Sequence, residues 1–352
     1  MKRQFLYSSM WFHRLLLGVV GGMAMALLLT GPTVALSQGV TRKIGEIERL
    51  DPAFDELIAP DTYIEKLSEG FAWAEGPAWN RQEGYLIFSD VQNNLVSRWD
   101  EKKGLTLFLQ PSGYTGKKQL EHPQGSNGLV YDPQGRLILC QHGDRRIARL
   151  EGKRFVTVVD KYRGKRLNSP NDAVYKMNGD LYFTDPPYGL AEGEDDAERD
   201  LDFCGVYRLD KQRKLTLLTL EMTRPNGIAF SPDEKLLYVA QSDPDEPIIK
   251  VFDVKEDGTT MRGRVFFDAT DLAKDKNNLG LPDGLKVDEK GNLFATGPGG
   301  VLVLSPDGKH LGTLRTGVAT ANCAWGGNGS TLYITAHTYL LRIKTTTRGA
   351  GF

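Results

Sequence analysis

The sequence predicts an all-β fold, a six-bladed β-propeller, from a repeated motif, its spacing and the strand alternation within it. The clearest copy is PNGIAFSPDEKLLYVA at residues 225–240, where a polar residue and a glycine open a strand that a turn connects to a second strand. Five more copies open at residues 75, 126, 169, 281 and 321. Starts separated by about 40 to 57 residues are typical of four-stranded units in a closed array.

Each repeat predicts the same succession of strands. The first strand alternates apolar side chains with a period of two, as at Asn226, Ile228 and Phe230. A turn rich in Pro, Asp, Asn and Gly follows, as in SPDEK, DPQGR and DEKGN, and such turns suit tight hairpins. An apolar second strand comes next, then a third of the type LVSRWD or IKVFDV. No segment carries a sustained helical period, so the predicted units contain strands alone.

The strand count predicts how the ring closes. The sixth repeat ends at 342–344 after three strands, whereas TYIEKL stands without a partner before the first repeat. We therefore expect the segment around Tyr63–Leu67 to form the outer strand of the last blade, which removes an open edge. The predicted propeller domain spans 62–345, with a polar surface lead-in at 38–61 and a C-terminal tail at 346–352.

Residues 1–37 have the composition of a signal peptide. Basic residues precede the apolar run LLLGVVGGMAMALLLTGPTVALS, which ends in small residues. An uncleaved N-terminal anchor is the alternative. In either case the main domain is exported, and we expect a periplasmic or secreted protein without stable membrane insertion after cleavage.

Composition narrows the partners and the source of stability. The formal net charge is −1, which argues against nucleic acid or another polyanionic partner. Only three cysteines are present, Cys140, Cys204 and Cys323, so disulfides cannot be the main source of stability. Cys140 lies within a predicted strand and Cys323 directly after a strand opening, which favours buried thiols.

The polar residues that open the repeats converge on one axis, because the innermost strand of each blade starts beside the central channel. They are Glu75, Asn127, Asn171, Asn226, Asp283 and Asn322. A single Asn-Gly or Asp-Gly pair is an ordinary turn former. Glu75 and Asp283 are not required by a turn and would crowd negative charge around the axis. Two carboxylates with amide oxygens suit a hard divalent cation such as Ca²⁺.

Antiparallel pairing also brings the ends of the second strands to this mouth. These residues are Asp90, Gln141, His142, Asp185, Tyr188, Gln241 and His337. His142 is a candidate for substrate contact or proton transfer, or a rim histidine without a role. Tyr188 would shape the pocket, and Asp185 is assigned to a turn or a supporting position. The acidic segment 191–202 is a solvated loop or, alternatively, a lid.

An ordered set of motifs resembles the gluconolactonase and senescence marker protein (regucalcin) family, closest to its bacterial gluconolactonases. The motifs are EGP at 75–77, NSPND at 168–172, YFTDPPYG at 182–189, RPNG at 224–227 and LPDG at 281–284. The resemblance covers about residues 62–345 and implies a six-bladed propeller with one divalent metal ion. The implied ligands are Glu75, Asn171, Asn226 and Asp283. Ser169 replaces an arginine that helps some relatives hold substrate.

The resemblance implies hydrolysis of a small sugar lactone of the gluconolactone type to the aldonic acid. Ca²⁺ is the expected metal, with Zn²⁺, Mg²⁺ or Mn²⁺ as alternatives; it would polarise the carbonyl while Asp283 assists the attacking water. No GxSxG elbow offers a serine nucleophile. Asn127, Asn322, His142 and Tyr188 are the expected substrate contacts. A non-catalytic sugar- or protein-binding propeller with a structural metal, and a hydrolase of another ester or organophosphate, are the alternatives.

Overall fold

Antiparallel strands form most of the regular structure in the computed structural model, which describes residues 42–117 and 124–352. The predicted signal peptide lies outside the described residues. The strands in chain order are β1 (Arg42–Ile44), β2 (Glu46–Arg49), β3 (Ile64–Glu69), β4 (Ala74–Asn80), β5 (Tyr85–Asp90), β6 (Leu95–Asp100), β7 (Gly104–Leu109), β8 (Ser126–Tyr131), β9 (Leu137–Gln141), β10 (Arg146–Glu151), β11 (Arg154–Val159), β12 (Lys161–Tyr162), β13 (Lys165–Arg166), β14 (Ala173–Tyr175), β15 (Leu181–Asp185), β16 (Gly205–Leu209), β17 (Leu215–Thr219), β18 (Pro225–Phe230), β19 (Leu236–Gln241), β20 (Ile248–Asp253), β21 (Arg264–Asp268), β22 (Leu285–Val287), β23 (Leu293–Gly297), β24 (Gly300–Leu304), β25 (His310–Arg315), β26 (Asn322–Gly326), β27 (Thr331–Ala336) and β28 (Tyr339–Lys344).

Helices in the described residues are short. Two 3-10 turns span Pro52–Glu56 and Gly193–Asp195, and one helix, α1, spans Thr270–Ala273. None of the described helices is long and apolar enough to span a membrane. The motif repeats therefore fold as strands, in agreement with their period of two.

Six sheets correspond to the six repeats. Blade 1 contains β4–β7, blade 2 β8–β11, blade 3 β14–β17 and blade 4 β18–β21. Blade 5 contains β22–β25 with β2 on its outer edge, and blade 6 contains β26–β28 followed by β3 and β1. The short hairpin β12–β13 connects blades 2 and 3. Within each blade the strands follow one another antiparallel, as tight turns require.

The innermost strands of the blades form a closed ring. Strand β4 contacts β8, β8 contacts β14, β14 contacts β18, β18 contacts β22, β22 contacts β26, and β26 returns to β4. Apolar side chains from facing sheets pack between successive blades, as where Trp79 of blade 1 stacks on Tyr333 of blade 6 at 5.5 Å between ring centroids. The prediction of an all-β, six-bladed propeller is confirmed.

The N-terminal strand closes the ring as predicted. Strand β3 pairs antiparallel with β28, and the Arg342 guanidinium donates to the Glu65 carboxylate at 2.6 Å. The preceding segment is more integrated than the surface lead-in expected from its polar sequence. Strands β1 and β2 extend blades 6 and 5, and the side chains of Phe54, Leu57 and Ile58 are buried in the core that these two blades share. Apolar burial of this turn fastens the segment to the ring.

The three cysteines are free thiols within the blades. Cys140, Cys204 and Cys323 are all buried, and none forms a disulfide. Burial raises the pKa of the Cys323 thiol to about 12, so it is protonated at neutral pH. The expectation of buried thiols at Cys140 and Cys323 is confirmed.

Candidate functional site

The six polar residues that open the repeats lie within the first two residues of the innermost strands or two residues before them. Four of them are close neighbours: Asn226 lies beside the Asp283 carboxylate, Asn322 lies beside the Glu75 carboxylate, and the charge of Glu75 acts on Asp283. Asn171 joins the ring through its backbone carbonyl, which accepts from the N–H of the residue after Asn127 at 2.7 Å. Blades that are far apart in sequence thus deliver these groups to one end of the channel.

Glycines directly after the polar residues let the blades approach this closely. Gly76 adopts φ +46°, and a Cβ there would lie 2.0 Å from the backbone oxygen of Asn127 in the next blade. A Cβ on Gly227 would lie 2.2 Å from the backbone oxygen of Asp283. Any larger residue would force neighbouring strands apart. The polar–glycine pair is therefore a packing requirement of the inner ring.

Hydroxyl groups on the second strands hold the next blade in place. Ser89 Oγ of β5 donates to the carbonyl of Asn127 at 2.8 Å. Thr184 Oγ1 of β15 donates to the carbonyl of Asn226 at 2.7 Å. Each bond crosses from one blade to the backbone of a candidate site residue in the following blade. The main chain that presents these side chains is thus fixed by hydrogen bonds as well as by packing.

Several side-chain oxygens at this end of the channel are buried without a hydrogen-bond partner. Asn226 Nδ2 donates to Ser242 Oγ at 2.8 Å, which fixes the amide and leaves Asn226 Oδ1 without a partner. The other oxygens in this condition are Asn127 Oδ1, Asn171 Oδ1 and Asp283 Oδ1. A buried acceptor left unpaired costs about 1–3 kcal/mol, so such a cluster needs an explanation. These oxygens fit a hard cation.

The donor set is chemically consistent with Ca²⁺. The two predicted carboxylate ligands, Glu75 and Asp283, stand with the amide oxygens of Asn171 and Asn226, and oxygen-only sets favour hard cations. Across the described residues, no three His, Cys, Asp or Glu side chains group together as metal ligands. A site built mainly from amide oxygens does not require such a group.

Burial strongly perturbs both carboxylates. Burial raises the pKa of Glu75 to about 7; the Gly76 N–H bonded to its Oε2 at 2.9 Å opposes this rise, and the charge of Asp172 adds to it. Burial, followed by the charges of Glu75 and Asp172, raises the pKa of Asp283 well above its usual range. A positive charge between the two carboxylates would stabilise their ionised forms and lower the pKa of each.

Tyr188 lies beside the site. Its hydroxyl donates to the Ser242 carbonyl at 3.4 Å, and burial together with the Asp283 charge raises the pKa of the phenol. The next residue, Gly189, donates its N–H to Ser169 Oγ at 2.8 Å. The segment that carries Tyr188 therefore bridges blades 3 and 4 next to Asp283.

His142 is packed against this same segment. A Cβ on Gly189 would lie 2.8 Å from the Cβ of His142. The imidazole is buried, neither ring nitrogen has a hydrogen-bond partner, and burial lowers the pKa of His142 to about 4. The ring is therefore neutral at neutral pH and has one donor and one acceptor free for a bound molecule.

The remaining residues at the ends of the second strands have structural partners. Asp90 accepts hydrogen bonds from two backbone N–H groups before β4. Gln141 and Gln241 donate to loop carbonyls, at 2.8 and 3.0 Å. Asp185 is fully buried, accepts from the Asn168 N–H at 2.8 Å, and burial raises its pKa to about 7. These side chains shape the loops around the mouth.

The acidic segment 191–202 is held by two arginines from outside it, Arg145 and Arg224, and by an internal bond of its own Arg199. Arg145 donates to the backbone of residue 198 at 2.7 Å, and Arg199 donates to the carbonyl of Glu194 at 3.0 Å. Arg224, two residues before Asn226, pairs with the Glu194 carboxylate at 2.8 Å. The segment is thus anchored next to the site.

Asp172 and Lys286 are two channel residues that the sequence analysis did not select. Asp172 is buried directly after Asn171, at a position where four of the repeats have glycine. Its Oδ2 lies 3.5 Å from Asn322 Nδ2 and 4.0 Å from Lys286 Nζ. Asn322 Oδ1 accepts from the N–H of residue 323 at 2.8 Å, and Asn322 lies near the carboxylates of both Asp172 and Glu75. The sequence signal that could have identified Asp172 is its place directly after Asn171, where four of the repeats have glycine.

A family model described as the SMP-30/Gluconolactonase/LRE-like region matches residues 73–338. A gluconolactonase of Zymomonas mobilis is 35% identical over 338 residues, covering 94% of this chain and 95% of that protein. A solved gluconolactonase of Xanthomonas campestris has 31% identity and a TM-score of 0.76, covering 87% of this chain and 97% of that one.

A more distant solved structure supports the fold alone. It is a regucalcin of Agrobacterium tumefaciens described as a calcium-binding protein, with 17% identity, a TM-score of 0.61, and coverage of 82% of this chain and 94% of that one. The match over 73–338 includes all six residues that open the repeats and strands from each of the six blades. The chain therefore belongs to the SMP-30/gluconolactonase/LRE-like family.

Proposed function

We propose that this protein is a metal-dependent lactonase that hydrolyses a sugar lactone of the gluconolactone type to the aldonic acid. Membership of the family and the names of its gluconolactonase relatives support lactone hydrolysis in general. The observation that supports the finer proposal is the ring of buried oxygens without partners, on Asn171, Asn226 and Asp283, beside the Glu75 carboxylate.

Glu75, Asn171, Asn226 and Asp283 would hold one divalent ion, with Ca²⁺ favoured by the all-oxygen set. Each ligand comes from a different blade, and hydrogen bonds such as Asn226 Nδ2 to Ser242 Oγ orient the amide before any ion arrives. A preorganised donor set loses little conformational freedom on binding. This supports tight binding of about one ion per chain.

Such an ion would supply Lewis-acid polarisation of the lactone carbonyl and charge for the developing oxyanion. Asp283 is the residue that we assign to the attacking water, because its Oδ1 has no partner and can accept a proton or orient the water. Glu75, 2% exposed, serves mainly to balance charge.

Four neutral side chains are the proposed contacts to the lactone. His142 has both ring nitrogens without a partner, and Asn127 Oδ1 is likewise free. Tyr188 lies beside Asp283. Asn322 would contribute through its position between Asp172 and Glu75. Neutral donors and acceptors match the hydroxyl groups of an uncharged sugar lactone.

The proposed setting is outside the cytoplasm. The signal-peptide composition of residues 1–37 supports export to the periplasm or medium, although those residues lie outside the described structure. A small lactone is the proposed partner.

A lactone assay with metal removal tests this function. The purified protein should hydrolyse glucono-δ-lactone in a pH-stat, lose that activity after chelation and dialysis, and regain it when CaCl₂ is added. Glu75→Gln should lower both metal content and rate, whereas Glu83→Gln, at an exposed turn between β4 and β5, should change neither. Full activity of metal-free protein, with no ion found by elemental analysis, would show that the proposal is wrong.

A further inference from the structure

A third buried carboxylate lies next to the proposed metal ligands. Asp172 is 3% exposed, and its charge raises the pKa of both Glu75 and Asp283. Its Oδ1 accepts the N–H of Ala173 at 2.8 Å, and its Oδ2 faces Asn322 Nδ2. Asp172 thus adds negative charge to a site that already contains two carboxylates.

Lys286 reaches the same region from blade 5. Its Nζ donates to the carbonyl of Leu285 at 2.9 Å and lies 4.0 Å from Asp172 Oδ2. The charges of Lys286 and Asp172 also act in opposite directions on the pKa of the buried Cys323 thiol, which burial raises, so both charges lie near this residue of blade 6. Within the described residues, the cationic side chain at salt-bridge distance from Asp172 is that of Lys286.

A cavity of about 540 Å³ lies on the far side of Lys286. Lys286 lines it together with aromatic residues that include Trp79, Tyr131 and Trp325. The Lys286 side chain is 29% exposed, whereas that of Asp172 is 4% exposed. Lys286 thus lines this cavity while its Nζ lies 4.0 Å from Asp172, whereas none of the three carboxylates lines the cavity.

The number of charged groups at the site gives Lys286 an electrostatic role. Glu75, Asp172 and Asp283 contribute three negative charges when ionised, and one divalent ion neutralises two of them. The remaining negative charge would oppose both the attack of a water that is losing its proton and the growth of an oxyanion. The ammonium group of Lys286 balances that charge.

We propose that Lys286, acting through Asp172, is a charge-compensating positioning residue that makes the metal-loaded site electrically neutral. This inference rests on the metal site of the proposed function. Lys286 then sets a compromise, because its positive charge weakens the attraction of the site for a divalent ion while it favours the transition state. Loss of Lys286 should separate these two effects.

The test measures metal binding apart from catalysis. Metal-free wild type, Lys286→Met, Lys286→Arg, Asp172→Asn and the double variant Lys286→Met/Asp172→Asn are titrated with Ca²⁺ against a fluorescent chelator. Mn²⁺ is titrated in parallel, and kcat is measured at saturating metal. Circular dichroism and thermal melts establish that each variant is folded. Lys286→Arg is the matched control because it keeps the charge.

Opposite signs are the expected result. Lys286→Met should bind Ca²⁺ roughly three- to tenfold more tightly, and Asp172→Asn should bind it more weakly by a similar factor. The double variant should return to within about twofold of wild type, because both charges are gone. Lys286→Met should also have a lower kcat despite its fuller metal occupancy.

Weaker metal binding in both single variants, without recovery in the double variant, would show a purely structural ion pair and overturn the inference. An unchanged affinity in Lys286→Met would overturn it as well. Failure of the wild type to bind either ion would instead refute the metal site, and the inference with it. The two failures are therefore distinguishable without a lactone assay.

Discussion

The two ends of strand β22 carry aspartates that differ in how their oxygens are used. Asp288, directly after the strand, accepts from the N–H groups of residues 290 and 292 on Oδ1, and from Asn292 Nδ2 and Thr347 Oγ1 on Oδ2, all within 2.9 Å. Asp283, before the strand, has a buried Oδ1 with no partner. One carboxylate holds a turn together, whereas the other retains bonding capacity for something that the protein alone does not supply.

The comparison shows which polar residues of a propeller are structural. Turns between first and second strands recur with aspartates whose oxygens are saturated locally, as at Asp132, which binds two backbone N–H groups and the Arg136 guanidinium. Strand openings have the opposite property at four positions. Single unpartnered polar atoms also occur elsewhere, as on Tyr131 and Thr260, so the grouping of four such oxygens at equivalent strand openings is what distinguishes the candidate site.

The largest expected effect is at Asp283. Asp283→Asn keeps the size and one oxygen ligand but removes the carboxylate assigned to the attacking water, so kcat should fall about 10²- to 10⁴-fold. Metal content should fall less than kcat. Steady-state kinetics on glucono-δ-lactone, corrected for spontaneous hydrolysis, together with elemental analysis give both numbers. Near-normal turnover with metal bound would show that Asp283 acts only as a metal ligand and does not assist the attacking water.

Asp288→Asn should have the reverse profile. The amide can accept at only one oxygen and presents its own donors to the donors of Asn292 and Thr347, so the free energy of unfolding should fall by about 2–4 kcal/mol. The kcat of the folded protein should stay within about twofold of wild type, since the site lies at the other end of β22. Urea unfolding and kinetics at a permissive temperature measure the two quantities. A large loss of kcat without loss of stability would contradict the comparison.

His142 extends the comparison to a group that titrates. Its pKa of about 4 in the native protein lies below the ordinary value of about 6.5, so acidification protonates the unfolded chain first and lowers stability as pH falls from about 6.5 to about 4. Between about pH 7.5 and about pH 5, wild type should lose about 2 kcal/mol more than His142→Asn does.

His310→Asn is the matched control for this experiment. Its Nε2 already contacts the Gly312 carbonyl at 3.1 Å and Thr313 Oγ1 at 3.0 Å. Burial lowers the pKa of His310 too, but the bond to Gly312 opposes the shift, so a smaller difference is expected. Chemical denaturation in the presence of chelator at both pH values provides the measurement. Equal pH dependence in wild type and His142→Asn would refute the assignment of the titration to His142.

Most of the fold was predictable because the repeat carries it. Alternation, turn residues and the missing outer strand of the sixth repeat were all visible in the sequence, and the ring follows from them. Strands β1 and β2 were not, since three- and four-residue strands are too short to show alternation. Their burial depends on Phe54 and its neighbours meeting blades 5 and 6, which is a tertiary event.

The site was predictable only in its inner ring. Residues such as Asn171 and Asp283 open their repeats, so the alignment of repeats brings them together. The alignment of repeats selected Asn171 from this motif and not Asp172, which follows it. The ion-pair partner of Asp172, Lys286, comes from another blade, so the repeat pattern does not reveal the pair. The hydroxyl groups of Ser89 and Thr184 were missed because their acceptors lie on the following blade. Periodicity within a repeat does not report contacts between repeats.

The closure of blade 6 by strands from both ends of the chain determines when the ring can be completed during synthesis. Glu65 of β3 and Arg342 of β28 are 277 positions apart and yet form neighbouring strands of one sheet. During synthesis, β3 must wait with an unpaired edge until nearly all of the ring has been made. Assembly of the propeller is therefore an event of the finished polypeptide, and the contacts that complete it are among the slowest that the chain can form. The ring therefore remains open until β28, its last strand, has been synthesised.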